Sequence, residues 1–275
     1  MCDALSSNNE ASFSLKLPTA PVCSLAIVDA GVPNSASTFL YMALAKTVSH
    51  MMPEAKVFKV YWNEDHHVRM NTSQKSQWLH AAQQQLKALG PKGILVTKIR
   101  EFYKPLVTAC DKRLIFTTHR HPIDMANAGV KVFGAGWGKN LVDNVKLQAS
   151  TQRCWIEAGL AGGGIGKHVV DVSFEKLQAD EGMRDFIVEV QKQISQLVGK
   201  DKDWDESDAL KWGHRMQDKW SGTKDKFAPP AMDANCGGAP PKPRCLEKVV
   251  QQNGDRIMKA TSEYSKHYGY TYQSS

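Results

Sequence analysis

Short apolar runs that stop at small or polar residues alternate along this chain with stretches whose apolar residues recur every three or four positions. The first run is Ser24-Leu25-Ala26-Ile27-Val28, which ends at Asp29-Ala30-Gly31. Bounded in this way it reads as a strand buried on both faces. Over 37–49 the spacing of Phe39, Leu40, Ala43, Leu44 and Val48 predicts a helix. A second strand is expected over 57–62, then a helix marked by Trp78, Leu79, Ala82, Leu86 and Leu89 that Gly90-Pro91 ends. Further strands read at 93–98, 113–118 and 167–172. Between and after them come a helix opened by Pro122, one over about 140–160 ended by Gly162-Gly163-Gly164, and one over 183–198. Strands alternating with helices predict an α/β fold, a single three-layer domain around a central parallel sheet. Residues 1–20 are Ser/Asn-rich and expected to be loosely ordered ahead of a domain over 21–275. The stretch at about 200–244, rich in Asp, Lys, Gly and Pro with Trp204, Trp212 and Trp220 interspersed, reads as a partly irregular, lid-like excursion before a final helix over 245–267.

Composition narrows the ligand. The formal net charge of +7 favours anions, but the basic residues are scattered rather than gathered in the run or stripe that nucleic acid requires. Such a mild field suits a small anionic ligand. The six cysteines contain no CxxC pair and no zinc spacing with histidine, so no structural metal is expected. Cys110 and Cys154 read as small buried hydrophobes, and Cys236 and Cys245, which could pair in an oxidising compartment, read as free thiols of a reducing cytosol. With no signal-peptide pattern and no apolar stretch near the ~18 residues of a membrane helix, a cytoplasmic protein is expected.

Candidate chemistry concentrates between the first strand and its helix, in Ala30-Gly31-Val32-Pro33-Asn34-Ser35-Ala36-Ser37-Thr38. A helix N-terminus offers unpaired backbone N–H groups and a positive dipole end, which together favour a phosphate. Ser35, Ser37 and Thr38 add hydroxyls, and Gly31 and Ala36 let the backbone come close. The simpler alternative is that Ser37 only caps the helix. An ATP- or GTP-binding loop of the form GxxxxGK[ST] fits poorly. Counted from Gly31, its Gly, Lys and Ser/Thr positions hold Ala36, Ser37 and Thr38, and the missing lysine is the main counter-charge for phosphate.

The stretch from Gly31 to Phe39 instead resembles the 5′-phosphosulfate loop of sulfotransferases, a strand followed by G-x-P-[KR]-[ST]-[GA]-[ST]-[ST] and an apolar or aromatic residue. A second segment, His119-Arg120-His121-Pro122-Ile123-Asp124-Met125-Ala126-Asn127-Ala128, resembles the same family's R-[ND]-P-x-D-x-x-x-S, with Arg120, Pro122 and Asp124 matching in spacing. An arginine at a strand's carboxyl end is well placed to grip a phosphate, although Arg120 could instead pair with Asp124. Asp171-Val172-Ser173-Phe174-Glu175-Lys176-Leu177 resembles the family's strand ending in [YF]-E-x-L, and Tyr268-Gly269-Tyr270 a common family C-terminus. The resemblance runs from about residue 24 to 272.

It implies a P-loop-like fold and 3′-phosphoadenosine-5′-phosphosulfate (PAPS) as co-substrate. The sulfuryl group would move to a hydroxyl or amine of a small-molecule acceptor without a metal. On this resemblance Pro33, Asn34, Ser35, Ala36, Ser37 and Thr38 hold the 5′-phosphosulfate and Phe39 stacks on adenine. Arg120 and Ala128 meet the 3′-phosphate, and Phe174 belongs to the nucleotide site. Asn34 stands where the family carries Lys or Arg, and Ala128 where it carries Ser, so a charge and a hydroxyl are missing. Lys98 matches a lysine near the acceptor. Arg100 stands where cytosolic members place a histidine base, and arginine stays protonated. The base is therefore expected at Glu64, with His66 and His67 as alternatives. Lys98 and Arg100 together are expected to replace the charge missing at Asn34. Lys224 and Lys226 read as a solvated loop. Trp62, Trp78, Tyr103, Phe133 and Trp137 are candidates for lining an acceptor pocket. Two other readings stand beside this one: a small P-loop-like kinase with Asp171 holding Mg²⁺, and a nucleotide-binding protein without turnover. No nucleic-acid or membrane partner is expected.

Overall fold

The computed structural model describes residues 2, 22–31, 37–61, 72–99, 102, 110–133, 138–160, 167–200, 204–222 and 246–271. Five strands, β1 (Cys23–Asp29), β2 (Val57–Tyr61), β3 (Ile94–Lys98), β4 (Cys110–His119) and β5 (Lys167–Ser173), form one sheet in the order β2-β3-β1-β4-β5. Every pairing is parallel. The helices are α1 (Ser37–Met51), α2 (Thr72–Leu89), α3 (Pro122–Phe133), α4 (Leu141–Leu160), α5 (Phe174–Gln178), α6 (Gly182–Val198), α7 (Glu206–Ser221), α8 (Leu246–Gln252), α9 (Gly254–Ala260) and α10 (Ser262–Tyr268). This is the three-layer α/β domain the alternating pattern predicts. Strands covered on both faces need no polar side, which is why their sequences are continuous apolar runs.

Side chains alternate along each strand, and the two faces build separate cores. Leu25, Ile27, Val96, Leu114 and Phe116 meet Leu44 of α1, Ile187 of α6 and Trp220 of α7. Ala26, Val28, Leu95 and Ile115 meet Leu86 of α2 and Trp155 of α4. Trp155 and Trp220 are fully buried, and truncating either to alanine costs roughly 3–5 kcal/mol. A third cluster ties α8 and α9 to α3 and α4 through Met125, Val145, Val250 and Ile257. Gly90, at φ 70°, ends α2 where the sequence placed the stop.

Three features depart from the sequence expectations. Within the stretch read as partly irregular, residues 206–221 form α7, capped by Asp205, whose side chain accepts from the Ser207 and Asp208 N–H groups. Ala209, Gly213, Met216 and Trp220 form its buried stripe. The single final helix is broken into α8, α9 and α10 at Asn253 and Thr261. Cys110 and Cys154 are buried as expected, but they are bonded to Cys23 and Cys2, respectively. Cys23 and Cys110 are register partners at the start of β1 and β4, with Cα atoms 4.5 Å apart, so strand pairing itself brings the thiols together. Cys236 and Cys245 lie outside the described residues. Among the described residues no helix is long and apolar enough to cross a membrane.

The topology creates a crevice. The chain leaves β1 toward β2 on one side and leaves β4 toward β5 on the other, so the outgoing connections part at the carboxyl ends of β1 and β4, the switch point where α/β sheets bind ligands. The last β1–β4 contact runs from the Ala30 N–H to the Phe116 carbonyl at 2.8 Å, while β4 continues against β5 to the His119–Ser173 pair.

Candidate functional site

Asp29 ends β1 and Lys98 ends β3, and the two are register partners. They follow Ile27 and Val96 by two residues, so both project from the face covered by α1. Each is 1% exposed. The Lys98 ammonium donates to Thr38 Oγ1 at 2.6 Å, which brings a buried cation to the first turn of α1. A helix N-terminus and an ammonium together form an anion-attracting corner. On Asp29, Oδ1 accepts from the Gly31 N–H at 3.2 Å, and Oδ2 has no hydrogen-bond partner among the described residues. Burial pushes its carboxyl up to about 7, although Lys98 and the Gly31 and Tyr41 N–H groups pull the other way.

Across the crevice, Arg120 follows the end of β4 and is 8% exposed. Its guanidinium lies 4.3 Å from the centre of the Phe174 ring, in the α1-side core. Burial lowers its pKa, with Asp124, Glu175 and Tyr270 opposing, and the group remains a cation throughout the physiological range. The turn that carries it is held from both sides. The Arg120 N–H donates to the Tyr264 hydroxyl at 3.2 Å, and that hydroxyl lies 3.1 Å from Gln152 Oε1, to which it donates. His121 Nδ1 accepts from the Ile123 N–H at 3.2 Å, while Nε2 donates to the Thr271 carbonyl at 2.9 Å. This pairing fixes the imidazole tautomer and caps α3 just ahead of Pro122.

On the opposite face of the sheet a second polar cluster gathers around Asp171 of β5. Oδ1 accepts from Thr117 Oγ1 at 2.5 Å and Gln152 Nε2 at 3.2 Å, and lies 3.1 Å from His119 Nδ1. Oδ2 accepts from the Tyr268 hydroxyl at 2.6 Å. Burial would raise the Asp171 pKa, but the bonds from His119, Thr117 and Tyr268 outweigh it and hold the carboxyl below its usual range. The Tyr268 ring stacks on His119 at 3.9 Å, and its hydroxyl is pushed well above the usual phenol value by burial and by Asp171, so it stays a donor. A cavity of about 550 Å³ opens behind this cluster between α4 and α9–α10, bordered by Ser150, Arg153, Thr261, Tyr264 and Tyr268. It touches none of Asp29, Lys98 and Arg120.

Of the residues picked from the sequence, the structure brings Lys98 to Thr38 and Arg120 to Phe174. Phe39 packs its ring on Trp220 at 5.0 Å. Ala128 is buried within α3. Pro33, Asn34, Ser35, Ala36, Glu64, His66, His67 and Arg100 lie outside the described residues, as do the side chain of Ser37 and the aromatic side chains considered for an acceptor pocket. Sequence reading did not single out Asp29 as a candidate site residue. The available signal was a carboxylate ending an otherwise apolar strand, where the fold buries it.

No protein-family model matches this chain, and no curated protein is similar to it in sequence. Among solved structures it is similar to the sulfotransferase domain of the Synechococcus PCC 7002 olefin synthase, at 15% identity and a TM-score of 0.43, over 94% of this chain and 99% of that one.

Proposed function

We propose that this chain binds PAPS across the β1–β4 crevice and transfers its sulfuryl group to a hydroxyl or amine of a small molecule. The supporting observation is a pair of buried cations, Lys98 and Arg120, at strand ends that flank the crevice. Lys98 and the N-terminal turn of α1 suit the 5′-phosphosulfate, and Arg120 suits the 3′-phosphate. Asp29 is in register with Phe116, and Arg120 lies four residues further along, so the two turns are within roughly 15 Å. In the reaction the acceptor oxygen or nitrogen bonds to sulfur as the bond between sulfur and the bridging phosphate oxygen breaks. The leaving bisphosphate takes the negative charge, and the acceptor's proton passes to a base. Lys98 would offset the developing charge, the part that Asn34 cannot play as a neutral amide.

The kinase reading needs a carboxylate free to hold Mg²⁺. Its candidate, Asp171, already has both oxygens engaged by Thr117, His119, Gln152 and Tyr268. The scattered basic residues support a small acceptor rather than nucleic acid or a membrane. The cytoplasmic location expected from sequence sits poorly with the two disulfides, because such bonds persist mainly in oxidising compartments.

A thermal-shift titration tests the donor. Adenosine 3′,5′-bisphosphate without metal should raise Tm, by about 2.7 kcal/mol of stabilisation at a hundredfold excess over Kd. Stabilisation by Mg-ATP alone would overturn the reading in favour of a kinase. Transfer of labelled sulfate from PAPS to a panel of phenols, alcohols, amines and sugars separates an enzyme from a protein that only binds.

A further inference from the structure

Asp29 and Lys98 stand side by side beneath the first turn of α1, both shut off from water. Lys98 Nζ reaches Thr38 Oγ1, at the very place where an anion would dock. A carboxylate beside that ammonium cancels part of the field the anion needs, and in a poorly solvated site such cancellation is strong. Lys98 is the only charged neighbour acting on Asp29 among the described residues. Its other neighbours, Phe116 in register on β4, Gly31 in the turn, and Thr38 and Tyr41 on α1, carry no charge near neutral pH. The sequence between Gly31 and Ser37 is Val-Pro-Asn-Ser-Ala, which contains no ionisable side chain.

We infer that Asp29 is a proton-uptake group: at mildly alkaline pH it is ionised beside Lys98 in the empty site and takes a proton from solvent when a phosphate docks, leaving the Lys98 charge to the ligand. This deepens the proposed function and rests on its placing of the 5′-phosphosulfate beside Lys98. Two observations support it besides the juxtaposition. Besides Lys98, only the Gly31 and Tyr41 N–H groups hold the carboxyl ionised, and its Oδ2 has no hydrogen-bond partner among the described residues. Burial has already brought its titration to about 7, where a nearby dianion will carry it higher.

The sign follows from linkage. Protons bound on docking make binding tighter as pH falls and weaker as it rises. For a free-site value of about 7 that rises well past 8 in the complex, affinity should weaken roughly tenfold between pH 6.5 and 8.5. The ligand's own phosphate ionisation, near pH 6, acts in the opposite direction. His119 and His121 border the Arg120 turn rather than Asp29, so an Asp29→Asn variant separates their contribution from that of Asp29.

Isothermal titration of the full chain, at pH 8 in two buffers of different ionisation enthalpy, counts the protons taken up. With adenosine 3′,5′-bisphosphate the wild type should take up on the order of one proton, and Asp29→Asn close to none, with a flat pH profile. Inorganic pyrophosphate serves as a second probe. Equal uptake in wild type and variant, or none in wild type, overturns the proton linkage while leaving the nucleotide reading intact. Proton-linked binding of pyrophosphate without binding of the bisphosphate upholds the linkage and overturns the nucleotide reading. Binding of neither overturns both. If Asp29→Asn does not fold, the wild-type proton count decides alone.

Discussion

Asp29 and Asp171 both lie toward the carboxyl end of the same sheet, on opposite faces, Asp29 fully buried and Asp171 half-buried. Around Asp171 the fold gathers donors from β4, α4 and α10, and the carboxylate is held ionised by hydrogen bonds. Around Asp29 it supplies the Gly31 and Tyr41 N–H groups and the charge of Lys98, and burial prevails. The same side chain thus serves two ends. Saturated with donors, it clasps the last helix and the Arg120 turn to the sheet. More sparsely provided, it is poised to titrate near neutrality beside the cation a ligand would use, which makes it a candidate for a functional rather than a structural carboxylate.

The sharpest way to break the comparison is to remove Asp171. Asp171→Ala strands the Thr117, Gln152 and Tyr268 donors in a half-buried site, and the loss of three charge-assisted bonds should cost roughly 3–5 kcal/mol in urea unfolding. Opposite pH slopes come next. Asp29 titrates at about 7 when folded against about 3.9 when unfolded, so the native state binds more protons in between. Stability from this group is complete below about pH 4 and is lost as pH rises to about 7, by on the order of 4 kcal/mol. For Asp171, whose folded value is lowered, stability is present above the unfolded value and is lost as pH falls through the folded one. Urea midpoints followed with pH should therefore lose the neutral-side decline in Asp29→Asn and the acid-side decline in Asp171→Asn.

Ligand binding sharpens the contrast between the faces. Lys98→Met should weaken bisphosphate binding about 10- to 100-fold by titration calorimetry, the loss expected for a charge-assisted contact. Lys146→Met, at the cavity on the Asp171 face, should leave it unchanged. The smallest expected effect belongs to Tyr268→Phe. It deletes the donor to Asp171 Oδ2 but keeps the ring stacked on His119, and should cost about 1 kcal/mol of unfolding stability.

Strand and helix order was legible because buried parallel strands leave apolar runs and covering helices leave apolar stripes. Lys98 and Arg120 were singled out through the family resemblance, and the structure places Lys98 at the end of β3 and Arg120 just past the end of β4. What escaped depends on contacts between distant segments. The Cys23–Cys110 bond follows from register across 87 residues of sequence, and no local pattern encodes it. The donors to Asp171 come from three elements and meet only in the folded sheet. Helix α7 is a different kind of miss. Its stripe of Ala209, Gly213, Met216 and Trp220 was present in the sequence but masked by charged neighbours on the exposed face. The breaks at Asn253 and Thr261 fall in a run whose helical spacing continues across them, so periodicity alone merged three short helices into one.

The central claim is that the Lys98 corner and the Arg120 turn hold opposite phosphates of one nucleotide. Calorimetric affinities of adenosine 3′,5′-bisphosphate, 5′-monophosphate and 3′-monophosphate, measured on wild type, Lys98→Met and Arg120→Ala, test it most directly. The bisphosphate should bind at least about tenfold tighter than either monophosphate. Arg120→Ala should erase only the advantage conferred by the 3′-phosphate, and Lys98→Met only that of the 5′-phosphate. A bisphosphate that binds no better than a monophosphate, or two variants that weaken all three ligands alike, would contradict it.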